Sequence, residues 1–167
     1  KVFSVDVGYG QFAWKLRQSP QIKVIERTNV KNCTFEEIYA ENEPVADFCA
    51  MDLSFISIKK VLENCKNLIR NDASAVLLIK PQFEADRADI EKGGVVKDKK
   101  THVDVVKNVI NCVKGLGYNI KGLTYSSIKG PAGNIEYLIW FSTNLDEEET
   151  IPSIIELVES AHSNLNS

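Results

Sequence analysis

The sequence has no run of 18 apolar residues, the length that a bilayer core demands of a helix, and no leader with a basic start and an apolar centre. Neither a spanning segment nor a secretory signal is therefore expected. It also lacks any CxxC pair. Cys33, Cys49, Cys65 and Cys112 stand far apart, and neither His102 nor His162 has a ligand spacing to any of them. That argues against zinc, so no metal site is expected. It favours buried reduced thiols in a cytoplasmic protein over a disulfide framework. Surplus positive charge is missing as well: 20 Lys and Arg against 23 Asp and Glu leave a net charge of −3. An autonomous nucleic-acid binder is usually basic, so any such contact must rest on local basic residues or on another domain. There are no internal repeats and no low-complexity tract.

What is present is an ordinary globular composition, 44% hydrophobic and 26% charged, over 167 residues. That suits one domain with a sizeable core. The chain starts at Lys1 without a methionine, and residues 2–7 already read as a strand, so upstream residues are expected in the natural protein. Gly8-Tyr9-Gly10 turns that strand toward a short helix around Phe12 and Leu16, stopped by Pro20. Further strands are expected at residues 22–25, 45–51 and 73–79. Between the last two, Ile58, Val61, Leu62, Cys65, Leu68 and Ile69 fall on one helical stripe. A polar loop follows from Pro81 to Lys100. Thr101-x-x-Asp104 then resembles a capping box opening a helix with Val106, Val109, Ile110 and Val113 inside. Residues 118–126 and 135–141, joined through Gly130-Pro131-Ala132-Gly133, suit an antiparallel pair. An acidic run, Asp146 to Glu149, leads to a last helix bearing Ile154, Ile155 and Val158. Strands alternating with helices and closed by two strands make a doubly wound α/β sheet with a hairpin at one edge.

In such sheets ligands bind at the carboxyl ends of the strands. Asp6 stands at one: it can accept from the ribose hydroxyls of a nucleotide-like cofactor, or cap a turn. Asn29 can bond an adenine edge, or serve its own loop. Asp52 and Lys80 end adjacent strands, so carboxylate and amine would lie together. Lys80 could act as a general base once it has lost its proton, or it could reach past the sheet into solvent. Asp52 could be its partner or a helix N-cap. Glu136, expected inside a mostly buried strand, needs a partner such as Lys80 unless it faces water at the edge. An aspartate, a lysine and a glutamate converging on one crevice suit deprotonation of a hydroxyl held in line with an electrophilic carbon.

Several stretches resemble the TlyA (haemolysin A) family of the FtsJ-like ribose methyltransferases: VDVGYGQFAWKLRQ, IERTNVKN, MDLSFISIKKVL, LIKPQFEA, KGGVVKD and IKGPAGNIEYLIWF, in that order over nearly the whole chain. The resemblance implies S-adenosylmethionine-dependent 2′-O-methylation of ribosomal RNA. It also implies a Rossmann-like methyltransferase sheet with an antiparallel terminal strand. In the family's Lys-Asp-Lys-Glu tetrad, Asp52, Lys80 and Glu136 take the second to fourth places, Lys80 as base and the two acids orienting it. Cofactor contacts fall on Asp6, Val7, Asn29 and Asp52, and the partners implied are ribosomal RNA or ribosomal subunits. The glycine-rich first motif, the first tetrad lysine, the first strand and a small RNA-binding domain all precede Lys1 in the family. Residues 1–167 thus read as a methyltransferase domain incomplete at its front.

Other readings stay open here. A membrane-active haemolysin lacks a basic amphipathic helix. A dinucleotide-dependent oxidoreductase lacks the third glycine after Gly8-Tyr9-Gly10. A catalytically inactive RNA- or nucleotide-binding module would keep only the sheet. The stretch Gln82 to Lys100, with Arg87, Lys92, Lys97, Lys99 and Lys100, is either a lid against RNA phosphates or a solvated charged loop.

Overall fold

The computed structural model describes residues 1–142 and 149–165. Strand β1 (Val2–Val5) pairs in parallel with β2 (Ile22–Ile25), and this pair forms a sheet of its own. Strands β3 (Phe48–Met51), β4 (Ser74–Ile79), β5 (Asn119–Tyr125) and β6 (Tyr137–Ser142) form a second sheet in the order β3-β4-β6-β5. β3 and β4 are parallel, and β6 runs antiparallel to both its neighbours. The expected antiparallel pair lies at one edge of this sheet, with β6 on the inside between β4 and β5, and β5 outermost. β6 earns the inner place by its burial, with Tyr137 and Ile139 fully enclosed and Phe141 nearly so.

Short helices connect these strands: α1 (Trp14–Arg17), α2 (Phe35–Ile38), α3 (Lys59–Leu68), α4 (Pro81–Glu84), α5 (Lys99–Gly115) and α6 (Ile154–Leu165). α2 went unforeseen, although Thr34 and Glu37 form a complete capping box. The opening of α5 also differs from expectation. Asp98, three residues before the anticipated cap, accepts from Thr101 N at 2.8 Å and Thr101 Oγ1 at 3.0 Å. In α6, Val158 is buried while Ile155 faces out. Residues 146–148 of the acidic run lie outside the described residues.

α3 ties the two sheets together. Val61, Leu62, Cys65 and Leu68 point inward, and burial pushes the Cys65 thiol up to about 12. Asn64 donates to the carbonyls of Val30 and Cys33, and the Tyr39 hydroxyl donates to Leu68 O at 2.7 Å. Between the facing edges of β1 and β3 lies a groove of about 540 Å³ lined by Val2, Phe3, Phe48, Ala50, Met51 and Leu68 among others. Among the described residues, no helix is long and apolar enough to cross a membrane.

The stretch expected as an open loop from Pro81 is partly built into the core. Val96 is buried, its amide donates to Asn134 Oδ1, and its carbonyl oxygen lies 2.9 Å from His102 Nε2. That oxygen can only accept, so Nε2 carries the proton and Nδ1 accepts from the Tyr137 hydroxyl at 2.8 Å. His102 is wholly buried, edge-on to the His162 ring at 4.8 Å, and burial lowers both histidines from 6.5. The unfolded chain takes up these protons near pH 6.5 while the fold resists them. Stability is thus fully present above pH 6.5 and is lost as pH falls through the lowered folded values. Urea unfolding should show this decline, and His102→Leu should remove part of the slope. It should also cost about 1–3 kcal/mol by stranding Tyr137 and Val96. A slope unchanged in His102→Leu would contradict this assignment.

Candidate active site

β4 is hydrogen-bonded on both sides, and its residues alternate between half-buried and buried, with Leu77 and Ile79 fully enclosed. It stops because Pro81 has no N–H for the ladder and holds the preceding residue extended. Lys80 accordingly sits at φ −111°, ψ 103°, and Pro81 opens the single turn of α4. The Lys80 side chain leaves the carboxyl end of this fixed strand only 13% exposed. Its Nζ lies 2.6 Å from Asp52 Oδ1 and donates to Ser54 Oγ at 3.2 Å.

Asp52 directly follows β3 and begins the loop into α3. The helix cap falls at Ile58, so Asp52 serves no capping role there. With Asp52 69% exposed, the pair is worth only about 0–1 kcal/mol to the fold. Stability is a poor reason for enclosing a lysine here.

Glu136 is buried but stands just before β6 rather than inside it. The register Ile79↔Tyr137 makes Lys80 and Glu136 the next cross-strand neighbours. The expected bond between these two is replaced, however. Asp52 takes the ammonium, and Glu136 Oε1 accepts from Gln82 Nε2 at 3.1 Å.

Asp6 lies just past β1 and is exposed; its Oδ1 accepts from Gly8 N at 2.6 Å. Val7 is 72% exposed beside it. Asn29, past β2, accepts from Lys31 N at 3.0 Å. Both polar side chains therefore shape their own turns, at the carboxyl ends of a parallel strand pair. Among the described residues no group of three or more His, Cys, Asp or Glu could hold a metal ion.

The sequence matches the FtsJ-like methyltransferase family over residues 1–143. The chain belongs to that family. It is 38% identical to the 16S/23S rRNA (cytidine-2′-O)-methyltransferase TlyA of Mycobacterium tuberculosis, covering 96% of this chain and 58% of that protein. It is also 38% identical to hemolysin A of Brachyspira hyodysenteriae, over 84% of this chain and 58% of the relative. A solved structure of a protein provisionally named a hemolysin, from Streptococcus thermophilus, superposes with a TM-score of 0.89. The two are 32% identical over 98% of this chain and 58% of the other. The chain thus spans somewhat over half the length of these relatives. More distant S-adenosylmethionine-dependent methyltransferases share the Rossmann-like fold, one from Listeria monocytogenes at a TM-score of 0.58, 15% identity and 86% and 80% coverage.

Three further residues at this candidate site leave no signal in the sequence. Phe55 follows Asp52 by three positions, is 91% exposed and adopts φ +64°, a conformation that a bulky side chain avoids unless held there. Its ring lies 5.2 Å from that of Phe83, which in turn lies 6.0 Å from Lys80 Nζ. Gln82 donates from Nε2 to Glu136, while the buried Oε1 of the same amide has no hydrogen-bond partner among the described residues. Gly130 passes so close that a Cβ there would stand 2.7 Å from Glu136 Oε1. The glycine-rich segment Gly130–Gly133 was legible as a turn, but not its role in shaping room for a carboxylate.

Gly130→Ala should therefore push Glu136 off Gln82 while costing the fold only about 1 kcal/mol, because the clashing atom ends a movable side chain. In a double-mutant cycle read by urea unfolding, Glu136→Ala should absorb that penalty. Additive losses would mean that the glycine serves the backbone alone.

Proposed function

We propose that the protein containing this chain methylates a ribose 2′-hydroxyl in ribosomal RNA, using S-adenosylmethionine, with Lys80 taking the hydroxyl proton. One observation carries the reading. A largely enclosed lysine at the end of a fixed strand touches a carboxylate on one side and has a buried glutamate next to it in register. The TlyA relatives of Mycobacterium tuberculosis and Campylobacter jejuni are named for this reaction, while two other relatives are named hemolysins.

The donor set fits the adenosine end of such a cofactor. Asp6 uses one carboxylate oxygen for Gly8 and leaves the other to accept ribose hydroxyls, with Val7 and Asn29 alongside for the base. Asp52 belongs both to the groove rim and to the Lys80 pair, so it spans cofactor and nucleophile. S-adenosylmethionine would supply an electrophilic methyl group. Lys80 Nζ would stand at the 2′-hydroxyl and take its proton as the methyl carbon exchanged its bond to sulfur for one to that oxygen. Asp52 and Glu136 flank the resulting ammonium and keep it aimed. Phe55 offers a ring on which the target base can stack, which suits recognition of an unstacked nucleotide. Arg87 and Lys92, on the segment after α4, and Lys100, in the first turn of α5, are exposed and suit phosphate contacts.

The groove between β1 and β3 completes the reading. Its walls are apolar, and both flanking strands turn a ladder edge toward it, so it suits one more parallel strand. We assign that strand to the polypeptide preceding Lys1, which would join the sheets in the order β2-β1-new-β3-β4-β6-β5.

The test uses the full natural polypeptide with labelled S-adenosylmethionine and ribosomal subunits. Label should enter the RNA, and Lys80→Ala should abolish it by at least about 100-fold with cofactor binding retained. Phe55→Ala should mainly raise KM for RNA. Cofactor binding without transfer to any ribosomal RNA would overturn the substrate, and absence of both would overturn the methyltransferase assignment.

A further inference from the structure

Glu84 is a carboxylate that the proposed chemistry leaves unused, yet its side chain is only 1% exposed. It ends α4, four residues after Lys80, and reaches across to the loop that begins at Asp52. There Glu84 Oε2 accepts from Ser57 Oγ and Oε1 from Ile58 N, each at 2.6 Å, with Lys59 Nζ at 3.9 Å. α3 has no cap of its own, since its N-cap Ile58 offers no side-chain acceptor and its first turn holds no acid. Glu84 supplies both the acceptors and the negative charge that this helix start favours.

The consequence reaches beyond α3. Asp52, Ser54 and Phe55 sit on a loop whose near end is β3 and whose far end is Ser57 and Ile58. Lys80 sits on a turn whose near end is β4 and whose far end is Glu84. Each loop end is thus tied to the other, and the Phe55–Phe83 ring contact lies between the ties. We propose that Glu84 is a positioning residue for the transfer reaction: it clamps the Asp52 loop to the Lys80 turn, and so sets the separation of the two reacting side chains and the presentation of Phe55. This rests on the methyltransferase reading above, though the clamp itself is a structural claim.

The geometry separates shape from charge. Glu84→Gln can keep both bonds, its Oε1 accepting from Ile58 N and its amide donating to Ser57 Oγ. Glu84→Ala loses both, and Ser57→Ala loses one. Two measurements on the full natural polypeptide test the clamp. The first is hydrogen exchange at the amides of residues 53–58. It should accelerate by at least about tenfold in Glu84→Ala and stay near wild type in Glu84→Gln. The second is methyl transfer. Glu84→Ala should lower kcat about 10–100-fold, with KM for S-adenosylmethionine within about threefold, because a misplacement near 1 Å suffices for such a loss. Glu84→Gln should restore kcat. If Glu84→Ala does not fold, Ser57→Ala carries the test, with a smaller kcat loss at unchanged KM. Unchanged exchange in Glu84→Ala would overturn the clamp. Faster exchange with undiminished kcat would overturn its positioning role, as would Glu84→Gln failing like Glu84→Ala. An inactive wild type whose exchange still responds would sink the methyltransferase reading and leave the clamp standing.

Discussion

The contact between Lys80 and Asp52 joins the carboxyl ends of two parallel strands, and its geometry is set by how little β4 can move. That strand is bonded on both sides and its inward residues are enclosed. The same insertion of β6 that locks β4 also carries Glu136 to the strand end beside Lys80. One topological feature, an antiparallel strand placed inside an otherwise parallel sheet, therefore does two things. It hardens the platform, and it delivers the third polar group from a sequence position more than fifty residues away.

Around this platform the chain spends unusual local structure where the side chains must be aimed. Lys80 is stopped by Pro81, Phe55 is held at a positive φ, and Gly130 leaves space that any larger residue would take from Glu136. The supporting bonds run between loops rather than within them: Gln82 to Glu136, Glu84 to Ser57 and Ile58, Asn134 to Gly94 and Val96. Loops tied to one another in this way keep a site in register without lengthening any helix or strand, which agrees with the need to hold reacting groups within fractions of an ångström. At the free edge of β3, β1 and β2 stand apart from the main sheet across an apolar groove, held through α3.

The parts legible in the sequence were those governed by local pattern. The apolar run before Lys80-Pro81 and the helical stripe from Ile58 to Leu68 located the strand ends, and hence the nearness of Asp52 and Lys80. The proposed cofactor and substrate rest on resemblance, not on spacing. Two kinds of feature lie outside those patterns. Some do carry a local signal: Thr34 and Glu37 as a capping box, and His102, which lies on the same stripe as Val105, Val106 and Val109. Others leave no local trace. A positive φ at Phe55, the choice of Gln82 over Lys80 as partner of Glu136, and the reach of Glu84 to α3 all depend on where distant segments meet. The insertion of β6 is likewise a matter of tertiary burial, since an antiparallel pair reads the same whichever strand lies inside.

The account stands on Lys80 and Asp52 acting as one unit. The direct measurement is the methyl-transfer rate of Asp52→Ala, Lys80→Ala and the double variant in the full polypeptide. The expected result is strong non-additivity, with the double variant no slower than about the worse single one, because removing either partner already disables the pair. Losses that multiply in the double variant would show two groups acting independently, and would contradict the assignment of this strand-end pair as the reacting centre.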